Sequence, residues 1–275
     1  MTNTTLLIGG TGKTGRRVAE RLTARGIDVR IGSRRGTPPF DWDDETTWRP
    51  VLAGVRAAYL TYYPDLAFPG ATEKVAALAE LAASQGVEQL VLLSGRGEEV
   101  AQAGERAVQS AGTGWTIVSS SWFNQNFSED FLLEPVLGGD IALPAGDMVE
   151  PFTDVDDIAD VVTAALTDPR HRGQVYELTG PRLLGFADVA AELSRATGRT
   201  ITYTPITPQQ YADVLRELGM PLEFADLFND ILDGRNAHLA DGVQRALGRP
   251  PKDFADYARE AAATGAWTVP GRAVR

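Results

Sequence analysis

The sequence predicts an α/β protein: a doubly wound parallel sheet with a smaller, mainly helical C-terminal lobe. Three features carry that prediction. A glycine-rich turn directly follows a short aliphatic run at the amino end, similar runs alternate with helical patterns through the first half, and mostly helical periodicity takes over from about residue 185. "TTLLIGG" reads as a short buried strand, and 14–25 as a helix with Val18 and Leu22 four apart on one face. "IDVRIGS" is a second strand, "PFDWDD" holds a short third, and "VRAAYLTYY" is a fourth. An amphipathic helix over 71–84 ends at Gly86, and the continuous apolar run in "VEQLVLLSG" marks a fifth strand buried on both faces. A helix over 98–111 then leads to the strand in "GWTIVSSSWF". Strands separated by helices of about 10–15 residues imply right-handed βαβ units. Beyond 185, "RTITYTP" is a strand among helices.

Composition excludes several classes of function. Twenty-six Lys and Arg against 37 Asp and Glu leave a net charge of −11, which repels nucleic-acid phosphates and anionic lipid. The 275 residues include no cysteine and only two histidines, His171 and His238, so disulfides, thiolate chemistry and a histidine metal centre are not expected. No metal is assigned. No apolar run approaches the roughly 20 residues that span a bilayer, and "MTNTTLLIGG" has no basic flank of the kind a signal peptide carries. A cytoplasmic protein acting on a small molecule is expected, monomeric or homodimeric, with neither nucleic acid nor membrane as partner.

The glycines Gly9, Gly12 and Gly15 stand in the spacing G-x-x-G-x-x-G between a strand and a helix. A doubly wound fold holds a dinucleotide pyrophosphate at that point, on backbone N–H groups at a helix N-terminus. Gly9 permits the turn, Gly12 lets phosphate approach, and Gly15 lets helix and strand pack closely. Gly12, Lys13 and Thr14 imitate the end of a P-loop, but the leading glycine of that motif would fall on Leu7. At the end of the second strand, "IGSRRG" offers Ser33, Arg34 and Arg35 where an NAD-preferring site carries an acid for the ribose hydroxyls. NADP(H) is therefore expected over NAD(H), its 2′-phosphate pairing with arginine. A Tyr-x-x-x-Lys acid pair would need tyrosine four residues before Lys13, Lys74 or Lys252, and those positions are Gly9, Gly70 and Gly248.

"LLIGGTGKTG", "SRRG", "FDWDD", "AYLTYYP", "LVLLSGRG", "GERAVQSAGTGWTIVSSSWFNQNF", "PFTDVDDIADVV" and "YELTGP" resemble, in order and spacing, the NmrA-like atypical short-chain dehydrogenase/reductases. Within them the chain is similar to bacterial relatives of agroclavine dehydrogenase, an ergot-alkaloid reductase. The resemblance implies a Rossmann domain over 1–184 and a helical substrate or lid lobe over 185–275, with a boundary that interleaving of the two lobes would shift, and reductases, polyketide tailoring enzymes or non-catalytic NADP(H) sensors as the range of function. It also implies Gly9, Thr11, Gly12, Lys13, Thr14 and Gly15 on the pyrophosphate, and Ser33 and Arg34 at the adenosine end. Thr61, Tyr62 and Tyr63 would lie beside the nicotinamide ribose, and Ser94 below the ring, with Tyr62, Tyr63 and Ser94 as catalytic candidates. Two departures stand out. Ser119 and Ser120 replace the family's Arg-Pro, and Ala101 stands where some relatives have a lysine.

The expected reaction is hydride transfer from NADPH to a small or medium apolar conjugated acceptor, an iminium, enone or quinone, in secondary-metabolite tailoring. Trp122, Phe123 and Asn124 are expected either in the core or on the substrate wall. Asp154 is expected to cap a helix whose dipole Asp156 and Asp157 complement. His171 and His238 read as solvated, and Glu105 as structural unless its pKa is raised.

Overall fold

The computed structural model describes residues 4–269. Along the chain, β1 (Thr4–Ile8) leads into α1 (Lys13–Ala24), β2 (Val29–Gly32), α2 (Trp48–Leu52), β3 (Val55–Leu60), α3 (Ala71–Ser84), β4 (Gln89–Gly95), α4 (Glu99–Ser110) and β5 (Gly114–Ser120). There follow α5 (Asn126–Glu129), α6 (Leu133–Gly138), β6 (Asp140–Leu143), β7 (Val149–Glu150), α7 (Val155–Thr167) and β8 (Gln174–Leu178). The remainder comprises β9 (Leu184–Gly185), α8 (Phe186–Thr197), β10 (Thr202–Pro205), α9 (Pro208–Glu217), α10 (Glu223–Ile231), α11 (Gly242–Leu247) and α12 (Phe254–Ala263).

Two compact units share the chain. The first takes Met1–Ser120, Val155–Leu178 and Ala240–Pro250, and the second Ser121–Asp154, Thr179–Leu239 and Pro251–Arg275. The division is interleaved, which the expected boundary near residue 184 left open, and two local features go with it. β6 finds its parallel partner in the distant β10, and Gly242 at the start of α11 lies so close to β8 that a Cβ would meet the Glu177 carbonyl oxygen at 2.2 Å.

The first unit is a six-stranded sheet in the order β2-β1-β3-β4-β5-β8, with every neighbour parallel. Burial on both faces explains the continuous apolar runs. Leu60, Leu90, Leu92 and Ile117 form one core with Val75 and Leu78 of α3 and Ala101 and Val108 of α4. On the opposite face α1 packs beside α7, tied by Arg21 to Asp160 at 2.6 Å and to Asp156 at 2.8 Å. Asp157 takes Arg249 at 2.6 Å. Asp156 and Asp157 stand in the first turn of α7, as expected for the dipole, and with Asp160 they also pair with arginines of α1 and of the segment after α11.

The third strand expected in "PFDWDD" is absent. Asp41 and Asp44 bridge a tight turn, Asp41 Oδ1 accepts from Asp43 N–H at 3.0 Å, and Asp44 caps the turn that follows. Short acidic side chains that bond their own backbone favour turns over ladders. Phe40, Trp42 and Trp48 go into a ring cluster instead, with centroids 5.1–6.5 Å apart. The strand running into Thr61 is consequently β3, and the one ending at Ser94 is β4.

His171, expected in solvent, is buried, its Nδ1 2.8 Å from the Tyr176 hydroxyl. Burial lowers its pKa, which favours the neutral ring. His238 is exposed.

In the second unit β10 pairs parallel with β6 and β7 pairs antiparallel with β9, while α8 and α12 pack together. Its core is aromatic, with Phe127, Phe152, Phe186 and Phe254 at its centre. Among the described residues no helix is long and apolar enough to cross a membrane.

Candidate active site

β1 and β3 are neighbours while β2 lies on the far side of β1, so the strand order reverses at β1, where open α/β sheets bind ligands beyond their carboxyl ends. The loop that leaves β1 there is shaped by its glycines. Gly9 has φ +74°, and a Cβ on it would strike Thr61 Oγ1 at 2.0 Å. A Cβ on Gly15 would meet the Gly9 carbonyl oxygen at 2.3 Å and Gly10 Cα at 2.6 Å, so the second turn of the loop and the start of α1 are in backbone contact. Gly10, which the spacing argument passed over, is equally enclosed: its Cβ would meet Ile31 Cδ1 at 2.8 Å. The doublet "GG" was its only signal in the sequence.

Gly12 differs. Its φ of −78° suits any residue, and its Cβ would meet only the Gly9 carbonyl oxygen, at 3.3 Å. A Cβ here would ask the Gly9 carbonyl to give by only a few tenths of an ångström, far less than the collisions at Gly9, Gly10 and Gly15. Gly12 also caps α1 without a side-chain hydrogen bond, and the first turn of that 12-residue helix holds no acid. The Gly12 N–H donates to the Gly9 carbonyl oxygen at 2.9 Å, while the positive end of the dipole, with no acid in the first turn, suits an anion at the N–H groups that follow. Thr11 is exposed and Lys13 half-buried beside them. The Thr14 hydroxyl is taken by the buried Tyr59 hydroxyl at 2.9 Å, leaving its backbone N–H for a ligand.

At the end of β2 the Ser33 carbonyl oxygen accepts from Gly36 N–H and Phe40 N–H, both at 2.9 Å, which holds "SRRG" in a turn. Arg34 and Arg35 project from it, exposed. Among the described residues neither is ion-paired. Two exposed guanidinium groups beside an anion-ready helix end make a positive field in an otherwise acidic chain.

Beyond β3, Thr61 Oγ1 donates to the Ile8 carbonyl oxygen at 3.0 Å, behind the glycine loop. Tyr62 packs tilted against Trp42 with ring centroids 5.0 Å apart, and Lys74, held chiefly by Asp43, also reaches Tyr62; both raise the lysine's pKa. Tyr63 is 83% exposed. Leu60 pairs with Leu92; Ser94 lies two residues further along β4, and Tyr62 lies two residues beyond the end of β3. Ser94 is buried, and its Oγ donates to Glu105 Oε1 at 2.6 Å. The loops after β3 and β4 carry features that no local pattern announced. Arg96 is buried against Glu177, and burial raises the pKa of Asp65, which shares a hydrogen bond with Glu98.

Trp122, Phe123 and Asn124 belong to the second unit. Trp122 is core, 3% exposed with ring centroids 5.0 Å from Phe228 and 5.1 Å from Phe186. Phe123 is half-buried, and Asn124 is fully buried, its Nδ2 donating to Asp154 Oδ2 at 3.3 Å. Asp154 also accepts from Gln125 at 3.1 Å. In the first unit a separate cleft of about 530 Å³ lies at the sheet edge by Arg170, Gln174 and Arg245. Its arginines already have partners, Arg170 with Asp168 at 3.0 Å and Arg245 over the Tyr176 ring. Among the described residues no group of three or more His, Cys, Asp or Glu could hold a metal ion.

Comparison with known proteins agrees with this architecture. The chain is 31% identical to an NAD(P)H azoreductase of Xenophilus azovorans, over 95% of this chain and 99% of the relative. It is 33% identical to an agroclavine dehydrogenase of Claviceps fusiformis, over 92% and 96% respectively. The Citrobacter sp. triphenylmethane reductase, solved with NADP(H), superposes with a TM-score of 0.75 at 19% identity, covering 94% of this chain and 99% of that one, and so shares the fold. The NmrA-like family profile matches residues 103–256, and with two relatives above 30% identity along nearly its whole length the chain belongs to the NmrA-like family.

Proposed function

We propose that this protein is an NADPH-dependent reductase that delivers hydride to a compact, electron-poor conjugated acceptor such as an iminium, enone or quinone. The observation that carries the reading is Gly12: a bare, exposed Cα where a Cβ would ask the Gly9 carbonyl to give by only a few tenths of an ångström, at an uncapped helix N-terminus free of acids. The N–H groups of Thr14 and Gly15, with Thr11 and Lys13 beside the bare Gly12 Cα, hold the pyrophosphate. Ser33 and Arg34 take the 2′-phosphate, and Thr61 positions the nicotinamide ribose. When bound, NADPH supplies the hydride through its dihydronicotinamide ring.

Tyr62, Tyr63 and Ser94 flank the reacting end. Electron-poor acceptors fit a site without a Tyr-x-x-x-Lys pair, because hydride addition to them needs no strong prior protonation. The chain then contributes chiefly position and dryness. The names of the azoreductase and agroclavine relatives support reduction of extended conjugated molecules, and the latter supports a tailoring role.

Mixing the enzyme with NADPH and a panel of quinones, enones and cyclic iminium ions tests this reading. Acceptor-dependent loss of the reduced-nicotinamide absorbance is expected. Tight NADPH binding with no turnover across the panel would turn the assignment to a nucleotide sensor.

A further inference from the structure

Glu105 invites a chemical explanation because it is a poor structural device where it stands. The crossover that follows β4 lays α4 back over the sheet face that carries Leu90 and Leu92. Ser94 continues that face, so its hydroxyl meets Glu105 at 2.6 Å beneath the carboxyl ends of β3 and β4. Carboxylates withdrawn from water are ordinarily held by cations, as buried Asp157 and half-buried Asp160 are by Arg249. Among the described residues no cation pairs with Glu105, and its one hydrogen-bond partner is Ser94.

We propose that Glu105 is the proton reserve of the reduction, delivering through the Ser94 hydroxyl to the oxygen of a carbonyl or quinone acceptor. This rests on the reductase reading. Hydride from NADPH turns a quinone into a hydroquinone monoanion. The anionic oxygen takes the Ser94 Oγ proton, Ser94 takes the carboxyl proton of Glu105, and water re-protonates Glu105. The balance is quinone, NADPH and one proton giving hydroquinone and NADP⁺. Ser94 touches the acceptor as the catalytic residue, and Glu105 acts through it.

The electrostatics agree with that geometry. Burial raises the Glu105 pKa above the ordinary 4.5, while the Ser94 hydrogen bond and nearby Arg106 pull it part of the way back. Of the elements packed on α4, β5 brings no ionisable side chain. From α3 come Glu73, Lys74 and Glu80, none of them among the groups that shift Glu105, and at the foot of the helix lies the Asp65–Glu98 pair. A raised pKa keeps the proton available to higher pH, so quinone reduction declines as pH rises through that pKa.

The test compares acceptors that differ in proton demand. A cationic triarylmethane dye accepts hydride to give a neutral product with no proton, whereas a quinone needs one. In Glu105→Gln, which keeps the size of the side chain, the ratio of quinone to dye turnover is expected to fall about 100-fold, the scale of general-acid catalysis. The high-pH decline should vanish with it. Cofactor-free protein gives an independent readout: carboxyl carbon NMR should show Glu105 titrating above ordinary glutamate, and higher still in Ser94→Ala because a hydrogen bond favouring the carboxylate is lost. An unchanged ratio, equal losses with both acceptors, or an ordinary midpoint indifferent to Ser94→Ala would each overturn the relay. If the wild type turns over neither acceptor, the reductase reading fails first and takes the relay with it.

Discussion

Gly15→Ala is expected to lower stability by about 3 kcal/mol, the upper part of the usual range for overpacking, because its Cβ meets only backbone. The atoms in the way are the Gly9 carbonyl oxygen at 2.3 Å and Gly10 Cα at 2.6 Å, and neither can rotate aside as a side chain would. Relief requires α1 to move off β1. Gly12→Ala gives the opposite pattern. Its backbone conformation accepts alanine and its nearest contact is 3.3 Å, so the expected loss is that of a poorer helix cap, about 0.5–1 kcal/mol. NADPH affinity should nevertheless fall by about tenfold or more, equivalent to about 1.4 kcal/mol, as the new methyl group occupies the phosphate approach. Urea unfolding and NADPH titration on both variants separate the two effects. A Gly12→Ala protein that binds NADPH normally would remove the main support for the site.

Trp122→Ala is the second large effect, and it falls on the second unit. The indole is in contact with Phe186 and Phe228, and its centroid lies 6.1 Å from Phe131 and 6.4 Å from Phe152. Truncating a buried tryptophan removes its transfer free energy and leaves a cavity, together about 3–5 kcal/mol. The unfolding midpoint should drop accordingly. A substrate-wall tryptophan would behave differently, raising KM while leaving stability nearly intact. That outcome would restore the pocket role that the sequence left open for this residue.

These two cases show what was legible in the chain and what was not. The turn after β1 was readable because glycine spacing is local, and a strand, three glycines and a helix in immediate succession restrict the backbone almost by themselves. Helices 71–84 and 98–111 were readable from periodicity, and α3 and α4 reproduce them within one residue at each end. "PFDWDD" misled because aromatic residues favour strands, while the aspartates between them bond their own backbone. His171 misled for a related reason. "TDPRHRG" has turn chemistry, and turns are usually wet, but the Tyr176 partner arrives from the following strand and closes over the ring.

The interleaving of the units depends on pairings such as β6 with β10, which no window of sequence contains. At the site, Gly9, Gly12 and Gly15 were each assignable a purpose, whereas the union of Ser94 with Glu105 follows only once α4 is laid over β4. Arg96 gave no warning either, since a lone arginine in a glycine loop reads as solvated until Glu177 is brought beside it.

The most direct measurement on the nucleotide site is a calorimetric titration of NADPH and NADH into the wild type and Arg34→Ala. Arg34 is exposed and, among the described residues, unpaired, so its guanidinium is available to a 2′-phosphate at no expense to the fold. The wild type should bind NADPH more tightly than NADH, and Arg34→Ala should weaken NADPH by about 1.5–3 kcal/mol, the range for a hydrogen bond to a charged group, while NADH changes far less. Equal affinities in the wild type, or an Arg34→Ala loss shared by both nucleotides, would contradict an NADPH site at the end of β2.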